Sequence, residues 1–131
     1  VIERDNGEGM ASAACAEGAA DQSACYPQPA RVKNVVLVDT ANRDDEGFIR
    51  RIGHVDLLDI ADPDGKAPEG MATDGRFTFP FFTIENVARV DDTHILVAND
   101  NNLPFSGGRE IGKAADSEFI LLSVPELLAA R

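Results

Sequence analysis

The apolar residues of this chain come in short runs, and each run is cut off by a cluster of Asp, Asn, Gly or Pro. Such punctuation leaves little room for amphipathic helices and points to strands joined by turns, an all-β chain. Asn34–Asp39 reads as a strand rich in β-branched residues, ended by the polar stretch Thr40–Gly47. Phe48–Arg51 reads as a second short strand and Ile52–Ile60 as a third, closed by a turn through Pro63 and Gly65. Glu85–Val90 and His94–Ala98 form the clearest hairpin, around Asp91-Asp92-Thr93. Glu118–Val124 is continuously apolar, which predicts a strand covered on both faces.

Two segments depart from this pattern. Phe77–Ile84 is aromatic and apolar, but Pro80 has no N–H to give a ladder, so the run belongs at an edge, a bulge or an extended loop. Alternation would set Phe77, Phe79 and Phe81 on one face and Phe82 on the other, as packing residues or, more sharply, as a platform for substrate. Helical character is confined to the end, from Pro125 to Arg131, where Ser123 and Glu126 have capping-box spacing.

A length of 131 residues allows one domain, and 23 acidic against 12 basic residues give a net charge of −11. That sign disfavours nucleic acid and anionic membrane surfaces as partners and favours cations. No apolar run approaches the ~20 residues of a membrane helix. The segments Gly7–Arg31 and Leu103–Ser117 have no periodicity; loops of that length in a small domain are usually functional or covering. Cys15 and Cys25 lie in the first of them, and residues 8–31 are expected to form a long loop closed by a disulfide, as in an oxidising compartment. The opening Val1-Ile2-Glu3 looks like a strand already under way, so residues upstream are expected. A weak internal echo links Val1–Gly7 with Leu96–Asn102, each an apolar strand end followed by Asp-Asn and then a long loop. A propeller blade takes about 40–50 residues, so the echo would span two blades.

Several stretches together carry a family resemblance: Glu3–Gly7, Gly53–Asp62, Phe79–Asn86, Leu96–Asn102 with Pro104-Phe105, and Glu118–Leu122. They resemble the closing section of the phytase-like (esterase-like activity of phytase) family, over about Val1 to Val124. The resemblance implies a partial β-propeller, the last blades of a longer domain, with the short C-terminal helix attached. It implies a secreted or periplasmic hydrolase acting on a small phosphate or carboxylic ester, with a divalent cation. Family domains are longer, so the remaining blades become partners and the isolated chain is expected to be inactive. The competing reading is a non-catalytic extracellular propeller that binds calcium for rigidity and a partner through its loops.

The candidate site residues follow from oxygen chemistry. Asn99, Asp100, Asn101 and Asn102 offer several side-chain oxygens at a strand end, and Glu85 could face the same end, a set suited to Ca²⁺. The plainer reading of that run is a turn whose side chains accept local backbone N–H groups. Asp56, Asp59, Asp62 and Asp64 are read as turn residues first. Glu3, Asp5, Glu85 and Asp100 are the carboxylates for acid–base work or for a water-activating cation, and Arg4 could hold a phosphate, with Arg89 and Arg109 weaker candidates. A serine-hydrolase triad is not supported: no nucleophile elbow is present, Ser106 precedes Gly107-Gly108 in a loop, and His54 and His94 sit in or beside strands.

Overall fold

The computed structural model describes residues 1–68 and 72–130. Among the described residues, nine strands build three three-stranded antiparallel sheets, and one short helix follows. In the first sheet the order is β1 (Ile2–Arg4), β2 (Lys33–Arg43), β3 (Ile49–Asp56). The second is small, with β6 (Arg76–Phe77) between β4 (Ile60–Ala61) and β5 (Ala72–Thr73). The third runs β7 (Ile84–Arg89), β8 (His94–Asn99), β9 (Phe119–Ser123). None of the three closes on itself.

The β2–β3 hairpin is longer than the hydrophobic pattern predicts. Polar Thr40–Arg43 stays in the strand because Arg43 pairs with Ile49, while the Asp44 carboxylate accepts the N–H groups of Glu46 and Phe48 and fixes the turn. The two runs read as separate strands at Phe48–Arg51 and Ile52–Ile60 are one strand ending at Asp56, plus the short β4. Gly53 does not break it. It lies beside a register shift, and the Leu127 side chain comes so close that a Cβ there would sit 3.0 Å from it. The Asp91–Thr93 turn behaves as expected: Asp91 accepts the N–H groups of Thr93 and His94.

The core gathers where the sheets meet. Leu57, Phe79, Phe81 and Val97 are fully buried, packed with Val35, Ile84, Ile95 and Leu122. Beyond Phe77 the aromatic run leaves the ladder, as Pro80 requires, yet Phe77, Phe79 and Phe81 still face together. The Arg109 guanidinium lies 4.9, 5.9 and 5.0 Å from the three ring centres. Its nitrogens make two bonds to Glu118, at 2.9 and 2.7 Å, and a third to the Thr78 carbonyl. Arg109 is thus a structural clamp on the aromatic cluster.

Two expectations fail locally. Strand β9 is covered on one face only: Leu122 is buried, whereas Phe119 and Leu121 are 69% and 60% exposed. Helix α1 (Pro125–Ala129) starts at Pro as expected, but its N-cap is Val124 and carries no side-chain cap bond, so the Ser123–Glu126 capping box does not form. Arg131, the last residue of the expected helix, lies outside the described residues. Among those described, no helix is long and apolar enough to cross a membrane.

Candidate functional site

The tips of β1 and β8 come together at one cleft. After Arg4 the chain runs through Asp5 and Asn6 into the long first loop; after Asn99 it runs through Asp100 to Asn102 into the second. Strands β1 and β7 are in contact, and an Arg4 nitrogen donates to the Phe82 carbonyl at 3.1 Å. Asp100 N–H donates to the Thr83 carbonyl at 2.9 Å, which draws the other tip to the same segment. Between them lies a cleft of about 670 Å³. Asn6 and Asn102 line it from the two tips, with Gln28 from the first loop, and Phe82 contributes an aromatic wall.

Glu8 and Ser106 complete the polar part of the lining. The Ser106 hydroxyl donates to Glu8 Oε2 at 2.9 Å, and Gly107 N–H donates to the same oxygen at 3.1 Å. The long loops supply this pair, and Tyr26 locks them together. Its hydroxyl donates to the Gly107 carbonyl at 2.7 Å, and its ring sits where a side chain on Gly9 would otherwise go. The expected disulfide is present: Cys15 and Cys25 are bonded, with their Cα atoms 4.9 Å apart, and Tyr26 follows directly. Backbone bonds from Cys15 N–H to Tyr26 O and from Tyr26 N–H to Ala13 O, both 2.9 Å, fasten the same spot.

The residues singled out from the sequence occupy different environments. Asp5 is turned into the fold: Oδ1 accepts the N–H of Gly7, and Oδ2 accepts those of Arg31 and Val32. Asp5 also pairs at 3.0 Å with Lys33, whose side chain is completely buried. Burial works against the Asp5 charge, but the Lys33 bond and the backbone N–H groups outweigh it and hold its pKa below the usual carboxylate value. Burial dominates at Lys33 and lowers its pKa despite the Asp5 partner. Glu3 forms an ion pair with Arg51 at 2.8 Å, with both side chains substantially exposed. Arg4 packs 5.5 Å from the Phe82 ring centre. Glu85 is exposed, beside the register shift of β7.

The Asn-Asp run is a turn whose side chains are largely spent. Asn99 is buried, donates to the Asp116 carbonyl at 3.1 Å and accepts the Glu118 N–H, which brings the second loop back to β9. Asp100 accepts the N–H of Asn102, and Asn101 that of Leu103. Asn102 has a positive φ of 46°, a conformation that Asn tolerates, and its amide bonds the Thr83 hydroxyl. Among the described residues no three His, Cys, Asp or Glu side chains converge as a cation site needs. The run as it stands does not form a cage of six to eight free oxygens, so no chemical step is routed through a cation here.

Both histidines line a second cleft of about 790 Å³, away from Ser106. His94 Nδ1 lies 3.1 Å from both Asp91 carboxylate oxygens and 2.8 Å from the Thr93 hydroxyl, as part of the hairpin turn. The Asp62 carboxylate accepts the N–H groups of Lys66 and Ala67, in keeping with its reading as a turn residue. Sequence reasoning missed Glu8, the one carboxylate among the described residues lining the first cleft. Its place directly after the Asp5-Asn6-Gly7 tip was a signal, but its partner Ser106 is 98 residues away and no local pattern links them.

Neither the curated proteins nor the solved structures give a match to this chain. The family model described as "Phytase-like: Esterase-like activity of phytase" matches residues 1–103. The match takes in both tips, Glu8 and the disulfide loop, and it ends before Ser106 and before the β9 stretch quoted for the resemblance. Because the match spans most of the 131 residues, the chain belongs to the phytase-like family.

Proposed function

We propose that the cleft between the β1 and β8 tips holds an ester, phosphate or carboxylic, for hydrolysis, with Glu8 as the general base. The observation that carries this reading is the pairing of Glu8 with Ser106 inside the cleft where the two tips meet. In this reading Glu8 takes a proton from a water attacking the ester centre and gives it up to the leaving oxygen. In the same reading the side-chain amides of Asn6 and Gln28, and the second N–H of the Asn102 amide whose other donates to Thr83, are the donors to the oxygen that becomes negative. Calcium enters only as a further proposal, outside this chemical step, at the exposed side chains of Glu85 and Asp100, the latter also accepting the Asn102 N–H.

The same proposal takes the sheets as parts of successive propeller blades. Supporting it, β1 and β8 each end in an acidic-amide tip, make a long excursion and return antiparallel, to β2 and β9 respectively. The disulfide supports an oxidising, extracytoplasmic setting. Turnover by the 131-residue chain itself is part of this proposal, in contrast to the sequence-based expectation of an inactive piece. The test is release of nitrophenol from para-nitrophenyl acetate and para-nitrophenyl phosphate, with calcium and with a chelator. Turnover of either substrate supports the reading. No turnover under any condition removes it and leaves the non-catalytic binding module.

A further inference from the structure

The lining of the first cleft narrows the ligand it can take. Its described residues divide into three chemical groups. Asn6, Gln28 and Asn102 are neutral amides, able to donate and accept but carrying no charge. Phe82, Leu103, Phe105 and Pro27 are apolar. Glu8, with Ser106 bonded to it, is the only ionisable member among the described residues, and it is an acid.

Two features of the apolar group point to a ligand rather than to core packing. Phe105 is 86% exposed and Leu103 is 63% exposed, both on the second loop at the cleft. Large apolar side chains presented to water beside a concave, partly apolar surface mark a binding site. Phe82 offers a half-buried ring on the same lining.

The charge pattern disfavours an anionic ligand. Among the described residues, no Lys or Arg lines the cleft. The Arg4 guanidinium lies against the Phe82 ring and is already engaged with the Phe82 carbonyl. A phosphate monoester would meet the Glu8 carboxylate inside the cleft and a chain of net charge −11 around it.

We infer that the cleft binds neutral esters bearing an aryl or alkyl group, with that group against Phe82 and Phe105 and the carbonyl among the amides, and that it discriminates against phosphate monoesters. The inference rests on the hydrolase reading of the same cleft and narrows it to carboxylic esters.

The test separates binding from turnover. Benzylacetone, the non-hydrolysable ketone isostere of benzyl acetate, and benzyl phosphate are titrated into the isotope-labelled chain without added metal. The side-chain amide signals of Asn6, Gln28 and Asn102 are followed by NMR. Benzylacetone is expected to saturate and shift those signals, and to bind at least about tenfold more tightly than benzyl phosphate. Phe105→Ala, at an exposed position where folding is not at risk, should weaken the ketone by about three- to tenfold. Glu8→Gln should narrow the gap between the two ligands. Equal or tighter binding of benzyl phosphate, or ketone shifts confined to other residues, overturns the inference. Turnover of benzyl acetate is measured alongside. Ketone binding without turnover keeps the ligand class and removes the hydrolase reading. Tighter phosphate binding with phosphate-ester turnover does the reverse.

Discussion

Replacing Asp5 by Asn should unfold the junction of the first loop rather than merely silence a site. In the native protein the two carboxylate oxygens take four donors. Gly7 N–H is at 3.1 Å and Lys33 Nζ at 3.0 Å on one oxygen, and Arg31 and Val32 N–H are at 2.8 and 3.1 Å on the other. An amide keeps one oxygen and turns an NH₂ toward the other two donors. Lys33, with no exposed surface, is left with the Asp5 carbonyl at 2.8 Å as its remaining acceptor here, or the two loop N–H groups lose theirs. Unpairing a buried charge costs about 3–5 kcal/mol, and the 26% exposure of the Asp5 side chain returns part of it, so about 2–4 kcal/mol is expected. Urea denaturation at pH 7 measures the loss. Lys33→Met removes the stranded charge, so the double variant should be more stable than Asp5→Asn alone, with a coupling of at least about 1 kcal/mol. A loss below about 1 kcal/mol, or strict additivity, would refute the assignment of Asp5 to structure and return it to the candidate catalytic set.

Other consequences are checked on the same protein. Replacing Cys15 and Cys25 by Ala opens a link across a sequence separation of 10 and should lower stability by about 2–3 kcal/mol in urea titration. Gly9→Ala puts a Cβ 2.3 Å from the Tyr26 ring at a φ of +80°, and a loss of about 2–4 kcal/mol is expected, seen as a lower melting temperature. Acid should act through carboxylates whose pKa folding depresses. Thr93 N–H and hydroxyl, with the His94 bonds, hold Asp91 at about 2 against an ordinary 3.8, and Asp5 is also lowered. Groups of that kind add stability above their unfolded pKa and lose it as pH falls through the folded one. The urea midpoint should therefore be level between about pH 7 and 5 and drop between about pH 4 and 2.

The hairpins were legible because their causes are local. Asp91 caps its own turn within three residues, and Asp44 does the same for β2–β3. Pro80 announced where the aromatic run leaves the sheet, and the cysteine spacing announced the covalent loop. What stayed hidden was set by distant partners. Lys33 falls just outside the strand read at Asn34–Asp39, and its partner Asp5, 28 residues back, accounts for its burial. Asp5 itself looked like site chemistry because its four donors are spread along the chain. The apolar run of β9 was read as doubly covered, but a run of apolar residues cannot say how many layers lie over it, and Phe119 and Leu121 face water. The convergence of the two tips was foreshadowed by the echo between them, whereas Glu8 and Ser106 meet only through loops that no periodicity describes.

The decisive measurement is kcat/KM for a chromogenic acyl ester in the native protein and in Glu8→Gln, with melting curves for both. Gln keeps an acceptor for Ser106 and Gly107 but cannot take a proton. The account predicts turnover that falls by about 10²- to 10⁴-fold with little change in melting. Equal turnover in the variant would show that the chemistry lies elsewhere in the chain.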